Sequence, residues 1–197
     1  MKSRRQIGFV PRLFLWGLAM LSIAGIVHVA SILIMPRLAT RDAFARISAL
    51  APANKMTLID ATTSAMSVAP FEDPSMALGA CRFDLSAGPL RIRASLPPER
   101  LLLMSFHGRF GQLFYAMNDR GATRGRLEVV VATRDQLEEI EGRDSDDEPP
   151  QELRLLSPTP EGFFIARALA ERPSLKSEAQ TRIMSISCQT EIRAPGN

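Results

Sequence analysis

The longest apolar stretch of the chain runs from Leu13 to Met35 and contains no Lys, Arg, Asp or Glu. About 20 apolar residues in a helix cross a hydrocarbon core of roughly 30 Å, so the pattern predicts a transmembrane helix over 13–35. Pro36 is expected to end it, because a proline pushes the residue before it out of helical geometry. Beyond it, Ala43, Phe44, Ile47 and Leu50 recur at helical spacing. They predict a short amphipathic helix over 41–50, with Thr40 as its cap and Asp42 in its first turn. Ala51 to Asn54, with Pro52, closes it.

From Met56 onward the period falls to two, the signature of strands with one buried and one wet face. A short strand over 56–59 precedes a Ser-, Thr-, Ala- and Pro-rich loop over 61–74. Cys81, Phe83 and Leu85 then alternate with Arg82 and Asp84, and Leu90, Ile92 and Ala94 with Arg91 and Arg93. Ser86-Ala87-Gly88-Pro89 between them reads as a hairpin turn. This register buries Cys81 and gathers Arg82, Asp84, Arg91 and Arg93 on one wet face.

Pro97-Pro98 breaks that strand. The continuous apolar run 101–106 predicts a strand covered on both faces, with a loop at 107–111 and a returning strand at 112–117. Asn118-Asp119-Arg120-Gly121 has the composition of a turn. Valine-rich 127–132 is a further strand. Thr133 and Gln136 have capping-box spacing ahead of a helix over 134–141, stopped at Gly142. An acidic loop spans 143–151, and strands follow at 153–156 and 162–169. Leu175, Ala179, Ile183 and Ile186 suit a last helix capped by Ser174, although 184–192 also alternates like a strand.

No internal repeat is present, and βαβ alternation is missing, which argues against a doubly wound fold. The expected class is α+β: an N-terminal single transmembrane helix followed by one mostly antiparallel β-sheet domain with two or three short helices. The segments are a basic stretch at 1–12, the span at 13–35, a juxtamembrane helix and linker at 36–54, and a β-rich domain at 55–197.

Charge then settles what the basic composition means. Lys2, Arg4, Arg5 and Arg12 precede the span with no acidic residue among them. The rest of the chain keeps 20 of the 24 basic residues against all 21 acidic ones. A near-neutral domain lacks the concentrated positive field that nucleic acid requires. The four basic residues ahead of the span, against Arg37, Arg41 and Arg46 with Asp42 after it, favour a cytoplasmic N-terminus. The expected arrangement is a single-pass anchor with the C-terminal domain outside the cytoplasm. A cleaved signal peptide fits less well: the apolar run exceeds an ordinary signal core, and Ile34-Met35-Pro36-Arg37 is a poor cleavage site. No cysteine sits at the end of the run to receive a lipid.

Cys81 and Cys188 are the two cysteines. An exported domain permits a bridge between them. Two separate buried thiols are the other reading the sequence leaves open.

Catalytic signatures are sparse. His28 and His107 are the two histidines, and with two distant cysteines they form no zinc-ligand spacing. No metal or cofactor is expected. His107 beside Gly108, together with Asn118, Asp119 and Arg120, is the one candidate acid–base group, on two loops expected at one end of the sheet. Arg82, Arg91 and Arg93, with Asp84, are candidates for holding an anion; routine cross-strand pairing explains the same pattern. Asp144 to Glu148 lacks the glycine and spacing of a calcium loop. Ser105 and the Ser64–Ser67 stretch have no nucleophile-elbow setting. Within the span, Gly17, Ala24, His28 and Ser31 share one helix face, suited to close contact with another membrane helix.

The stretch Cys81-Arg-Phe-Asp-Leu-Ser-Ala-Gly-Pro-Leu90, followed by an alternating strand and by 101–120 ending in Asn118-Asp119-Arg120, resembles the domain-of-unknown-function family numbered 1254. The chain is similar to its short alphaproteobacterial members, which have an N-terminal span and this domain alone. The similarity covers roughly 71–132 and weakens toward the C-terminus. It implies a membrane-anchored β-rich domain outside the cytoplasm and no established reaction. Larger members carry an asparagine-aspartate-threonine stretch where this chain has Met76-Ala-Leu-Gly79, so any role of that stretch does not transfer. The expectation is a non-enzymatic envelope module whose partners are the lipid bilayer and a membrane helix or envelope protein. The alternative is an enzyme or enzyme subunit with a site near the His107 and Asn118 loops.

Overall fold

The computed structural model describes residues 9–38, 42–59, 73–95, 101–121, 125–144 and 150–191. Most of the basic stretch 1–12, Thr40, the loop over 61–72, Pro97-Pro98, the Ser64–Ser67 stretch and 145–149 of the acidic loop lie outside them. The chain forms two compact units, 1–40 and 41–197.

The first unit is helix α1, Phe9–Leu38. Thirty residues make about 45 Å of helix, and the segment Pro11–Met35 is apolar enough to cross a membrane. Two serines inside it return their hydroxyls to the backbone one turn earlier: Ser22 to Leu18 (2.9 Å) and Ser31 to Val27 (2.7 Å). That satisfies groups that hydrocarbon would leave unpaired. The helix continues two residues past Pro36 instead of ending there. Proline costs one backbone bond, and in a final turn there is little helix left to lose.

The second unit starts with α2, Ala43–Leu50. Its cap is Asp42, whose side chain accepts from the Ala45 amide at 2.7 Å. The expected cap, Thr40, lies outside the described residues. The strands are β1 (Thr57–Ile59), β2 (Met76–Asp84), β3 (Leu90–Ser95), β4 (Leu102–Gly108), β5 (Leu113–Asn118), β6 (Arg126–Ala132), β7 (Leu153–Leu156), β8 (Glu161–Leu169) and β9 (Ser187–Thr190). Helices α3 (Arg134–Glu141) and α4 (Lys176–Met184) complete the domain. Thr133 and Gln136 form the predicted capping box. At the C-terminus the helical and alternating patterns are both real but consecutive: α4 stops at Met184 and β9 begins at Ser187.

The strands divide between two sheets, one of five in the order β1-β2-β8-β4-β5 and one of four in the order β7-β6-β3-β9. Every pairing is antiparallel except β6 with β7. β2 and β3 do not form the expected hairpin. β2 pairs with β1 and β8, and β3 with β6 and β9. The connection through Leu85–Ala87 and Gly88 carries the chain from one sheet to the other. Gly88 has φ +146°, and a Cβ there would lie 2.5 Å from the Glu191 carbonyl. The glycine read as a hairpin turn therefore serves an inter-sheet crossing.

Inner faces of both sheets share one core, with Phe83, Ile92, Phe106, Val129 and Phe164 wholly enclosed. Cys81 on β2 and Cys188 on β9 are bridged, with Cα atoms 6.7 Å apart, so the disulfide joins the two sheets through that core. α4 packs on β2 where Gly79 leaves room: a Cβ at 79 would collide with the Ile183 side chain. A second, smaller core lies on the outer face of the five-stranded sheet, where Phe44 and Ile47 of α2 meet Ala80 and Phe163. β4 alternates between fully and partly buried positions. Its expected cover on both faces is thus complete on the inner side only.

Candidate functional site

Three places gather polar chemistry. The first lies on the outer face of the five-stranded sheet. His107 is in strand β4, not in a loop, and its ring stacks on Phe163 at 4.8 Å. Its Nδ1 is 3.2 Å from the Gly111 carbonyl and its Nε2 is 3.1 Å from Ser105 Oγ. A carbonyl only accepts, so Nδ1 carries the proton and Nε2 accepts from the serine hydroxyl. Burial lowers the His107 pKa below its ordinary 6.5; the Gly111 carbonyl pulls the other way, and the Arg167 charge adds to the lowering. The imidazole is therefore neutral at pH 7.

Beside it, α2 docks through Phe44. The Arg109 guanidinium lies 4.1 Å from the Phe44 ring centroid and Arg82 lies 6.0 Å from it. Arg109 also pairs with Asp42 at 2.9 Å and Glu161 at 3.8 Å. The Asp42 carboxylate thus caps α2 with one oxygen and ties the β4–β5 hairpin to that helix with the other.

Asn118, Asp119 and Arg120 do not join His107. Residue 118 pairs with Leu103 at the start of β4, whereas His107 lies at its other end, paired with Leu113. Four residues of strand separate the two positions, about 13 Å. Asn118 instead accepts from the Arg120 amide at 3.2 Å, a local turn bond. The expectation that both loops share one end of the sheet is corrected: an antiparallel hairpin puts its turn at one end and its outer termini at the other.

The second place is the outer face of the four-stranded sheet, with a cleft of about 510 Å³ beside α3 and the Gly88 crossing. Arg91 at its base pairs with Glu128 (2.5 Å), Glu191 (2.9 Å) and Glu152. Arg93 pairs with Glu128, Arg143 with Glu139, and Arg154 with Asp144 and Glu152. Partial burial disfavours the Glu128 charge, but hydrogen bonds from Arg91 and Arg93 outweigh it and hold the carboxyl below its usual range. The Arg154 hydrogen bond lowers Asp144 likewise. The four residues predicted to share a wet face are split. Arg91 and Arg93 are here, while Arg82 and Asp84 are on β2 in the other sheet. Asp84 accepts from the Ser86 amide at 2.9 Å, and the Ser86 bonds lower its pKa. Every arginine lining the cleft has a carboxylate partner, which argues against a small-anion site.

The third place is α1, where Ala24, His28 and Ser31 share a shallow groove with Met20, Ile23 and Val27. Gly17, about two turns before Ala24, has open space around it. Among the described residues no group of His, Cys, Asp or Glu is arranged to hold a metal.

Sequence reasoning missed Phe163 and Arg109, weighed Ser105 only as a nucleophile without its elbow, and placed Asp42 in the first turn of α2 and not at its cap. Ser105 and His107 are two apart, so a strand puts them on one face. That signal was hidden by reading His107 as loop.

No family model and no curated protein matches the chain. The fold is similar to that of the VPA0106 protein from Vibrio parahaemolyticus, with a TM-score of 0.53 and 11% identity over 79% of this chain and 37% of that one. An uncharacterised protein from Burkholderia cenocepacia aligns with a TM-score of 0.45 and 16% identity, over 64% of this chain and 33% of that one. The chain thus spans about a third of the length of these solved proteins.

Proposed function

We propose that the protein is a bacterial inner-membrane module, anchored by α1 with its N-terminus in the cytoplasm, whose periplasmic β domain binds another envelope protein. The observation that carries this reading is strand β5. It is the longest edge strand of either sheet, uncharged along Leu113-Phe-Tyr-Ala-Met-Asn118, with its outer edge unpaired among the described residues. The other edges are guarded by brevity: β1 has three residues and β7 and β9 four each. An unguarded, uncharged edge is a template for strand addition by a partner. The basic residues ahead of α1 support the orientation, and resemblance to the family numbered 1254 supports the compartment.

A photo-crosslinking residue at the exposed Ala116, in cells carrying the full chain, tests the reading. The expected product is a single heterologous adduct that Ala116→Lys within the free edge, with the crosslinker moved to Asn118, suppresses without lowering thermal stability. Absence of a protein adduct at both positions rejects it.

A second reading, an enzyme or enzyme subunit, draws on the Ser105–His107 bond, which has the spacing of a nucleophile and its base. Labelling of Ser105 by a fluorophosphonate, lost in His107→Gln, is the result it requires.

A further inference from the structure

The β4–β5 hairpin ends in a tight turn at the pole of the domain where the chain enters it from α1. Gly111 donates to the Gly108 carbonyl at 2.9 Å and has φ +79°. The turn carries Phe110, 46% exposed, and β5 begins with Leu113, 57% exposed. Three residues apart, they are the two large apolar side chains that this tip leaves in solvent. Open space surrounds Gly111 between them. Scattered exposed apolar residues are ordinary; the position of this pair is not. Arg109, adjacent to Phe110, is bonded to Asp42 at 2.9 Å. Asp42 is the fourth residue after Leu38, the end of α1, and four residues of chain extend about 14 Å at most. A domain of some 150 residues is roughly 40 Å across. The Arg109–Asp42 bond therefore places the tip beside the residue through which the chain enters the domain.

We propose that this tip is a second membrane contact, with Phe110 and Leu113 resting in the interfacial layer of the bilayer that α1 crosses. The inference rests on reading α1 as a span. Its ligand is lipid: apolar side chains held at the headgroup–acyl boundary leave water without crossing the membrane. Arg109 stays at the rim, its charge matched by Asp42, so the tip enters without an uncompensated cation. A pinned hairpin would also set the orientation of the uncharged β5 edge relative to the membrane plane.

The full chain, reconstituted in phosphatidylcholine vesicles containing a minority of phosphatidylglycerol, tests this. A nitrobenzoxadiazole probe is placed at Gln112→Cys, at the exposed Glu171→Cys beyond the far end of β8, or at Leu21→Cys within α1. The native cysteines are bridged and buried, so labelling is selective. With iodide on both sides of the vesicles, quenching at 112 is expected several-fold weaker than at 171, and shallow nitroxide lipids are expected to quench 112 but not 171. Phe110→Ser with Leu113→Ser returns the 112 probe to the behaviour of 171. A probe at 112 that behaves like 171 while 21 lies in lipid overturns the inference alone. Iodide protection at 112 without lipid quenching means a protein contact and also overturns it. A probe at 21 that reads as aqueous removes the span reading and the inference together.

Discussion

The two sheets share a core but are closed on their outer faces by different physics. The five-stranded sheet is covered by α2 through ring and aliphatic contacts, Phe44 on Phe163 and Ile47 over Ala80. The four-stranded sheet is held by charge. Arg91 on β3 reaches carboxylates on β6 (Glu128), just ahead of β7 (Glu152) and just beyond β9 (Glu191). One guanidinium thereby ties together all four strands of that sheet, including both edges. Apolar cover is insensitive to salt and acid, whereas a partly exposed ion-pair network weakens with both. The face under α2 therefore depends little on salt, with His107 as its acid-sensitive group, whereas the charged face reports both salt and acid.

Four perturbations would break or sharpen that contrast. Replacing both Cys81 and Cys188 with Ala removes the link between the sheets. A closed loop of this size, with a separation of 107 residues, constrains the unfolded chain by about 5 kcal/mol. Urea unfolding should show a loss of that order, and no change under reducing agent alone would contradict it. Phe44→Ala, at a site only 6% exposed, should cost about 3 kcal/mol, with the same loss at low and high salt. Arg91→Leu should cost about 2 kcal/mol, because it removes the cation shared by three neighbouring carboxylates, of which Glu128 keeps Arg93 and Glu152 keeps Arg154. Here the loss should shrink in high salt, and a salt-independent deficit would show that packing, not charge, holds this face.

The smallest effect is one of pH. His107 has a folded pKa below 6.5, so the unfolded chain binds its proton first as pH falls. Its contribution to stability is complete above 6.5 and declines as pH drops from there through the lowered value. Glu128 and Asp144 are also lowered. Their contribution is complete above the ordinary carboxylate range and is lost at still lower pH. Two separate steps in stability are expected, with His107→Gln abolishing the first and leaving the second.

Much of this architecture was legible as local pattern. α1, α3 with its capping box, and the phase of β2, β3 and β6 follow from periodicity and end signals, which depend on neighbours within a few residues. Pairing partners were not legible. A period of two says which side chains share a face, but not which strand lies beside which. The Gly88-Pro89 dipeptide fits both a hairpin and a crossing. The candidate site suffered most from this. Arg82 and Arg91 are adjacent in a hairpin and lie in different sheets once the chain crosses. His107 and Asn118 are close in sequence yet sit at opposite ends of two paired strands. The disulfide was available as an option, and only the stacking of β2 over β9 decides it.

The sheet order carries a consequence for biogenesis. β2 and β4 both take β8 as their neighbour and never each other, and Cys81 faces Phe164, 83 positions later. At ordinary elongation speeds of about 5–20 residues per second, roughly 4–17 s pass between translation of the first central strand and of the one that fills the gap. During that interval two half-made apolar ribbons emerge with a vacancy between them. Unpaired edges and apolar faces of this kind are open to mispairing until β8 is delivered.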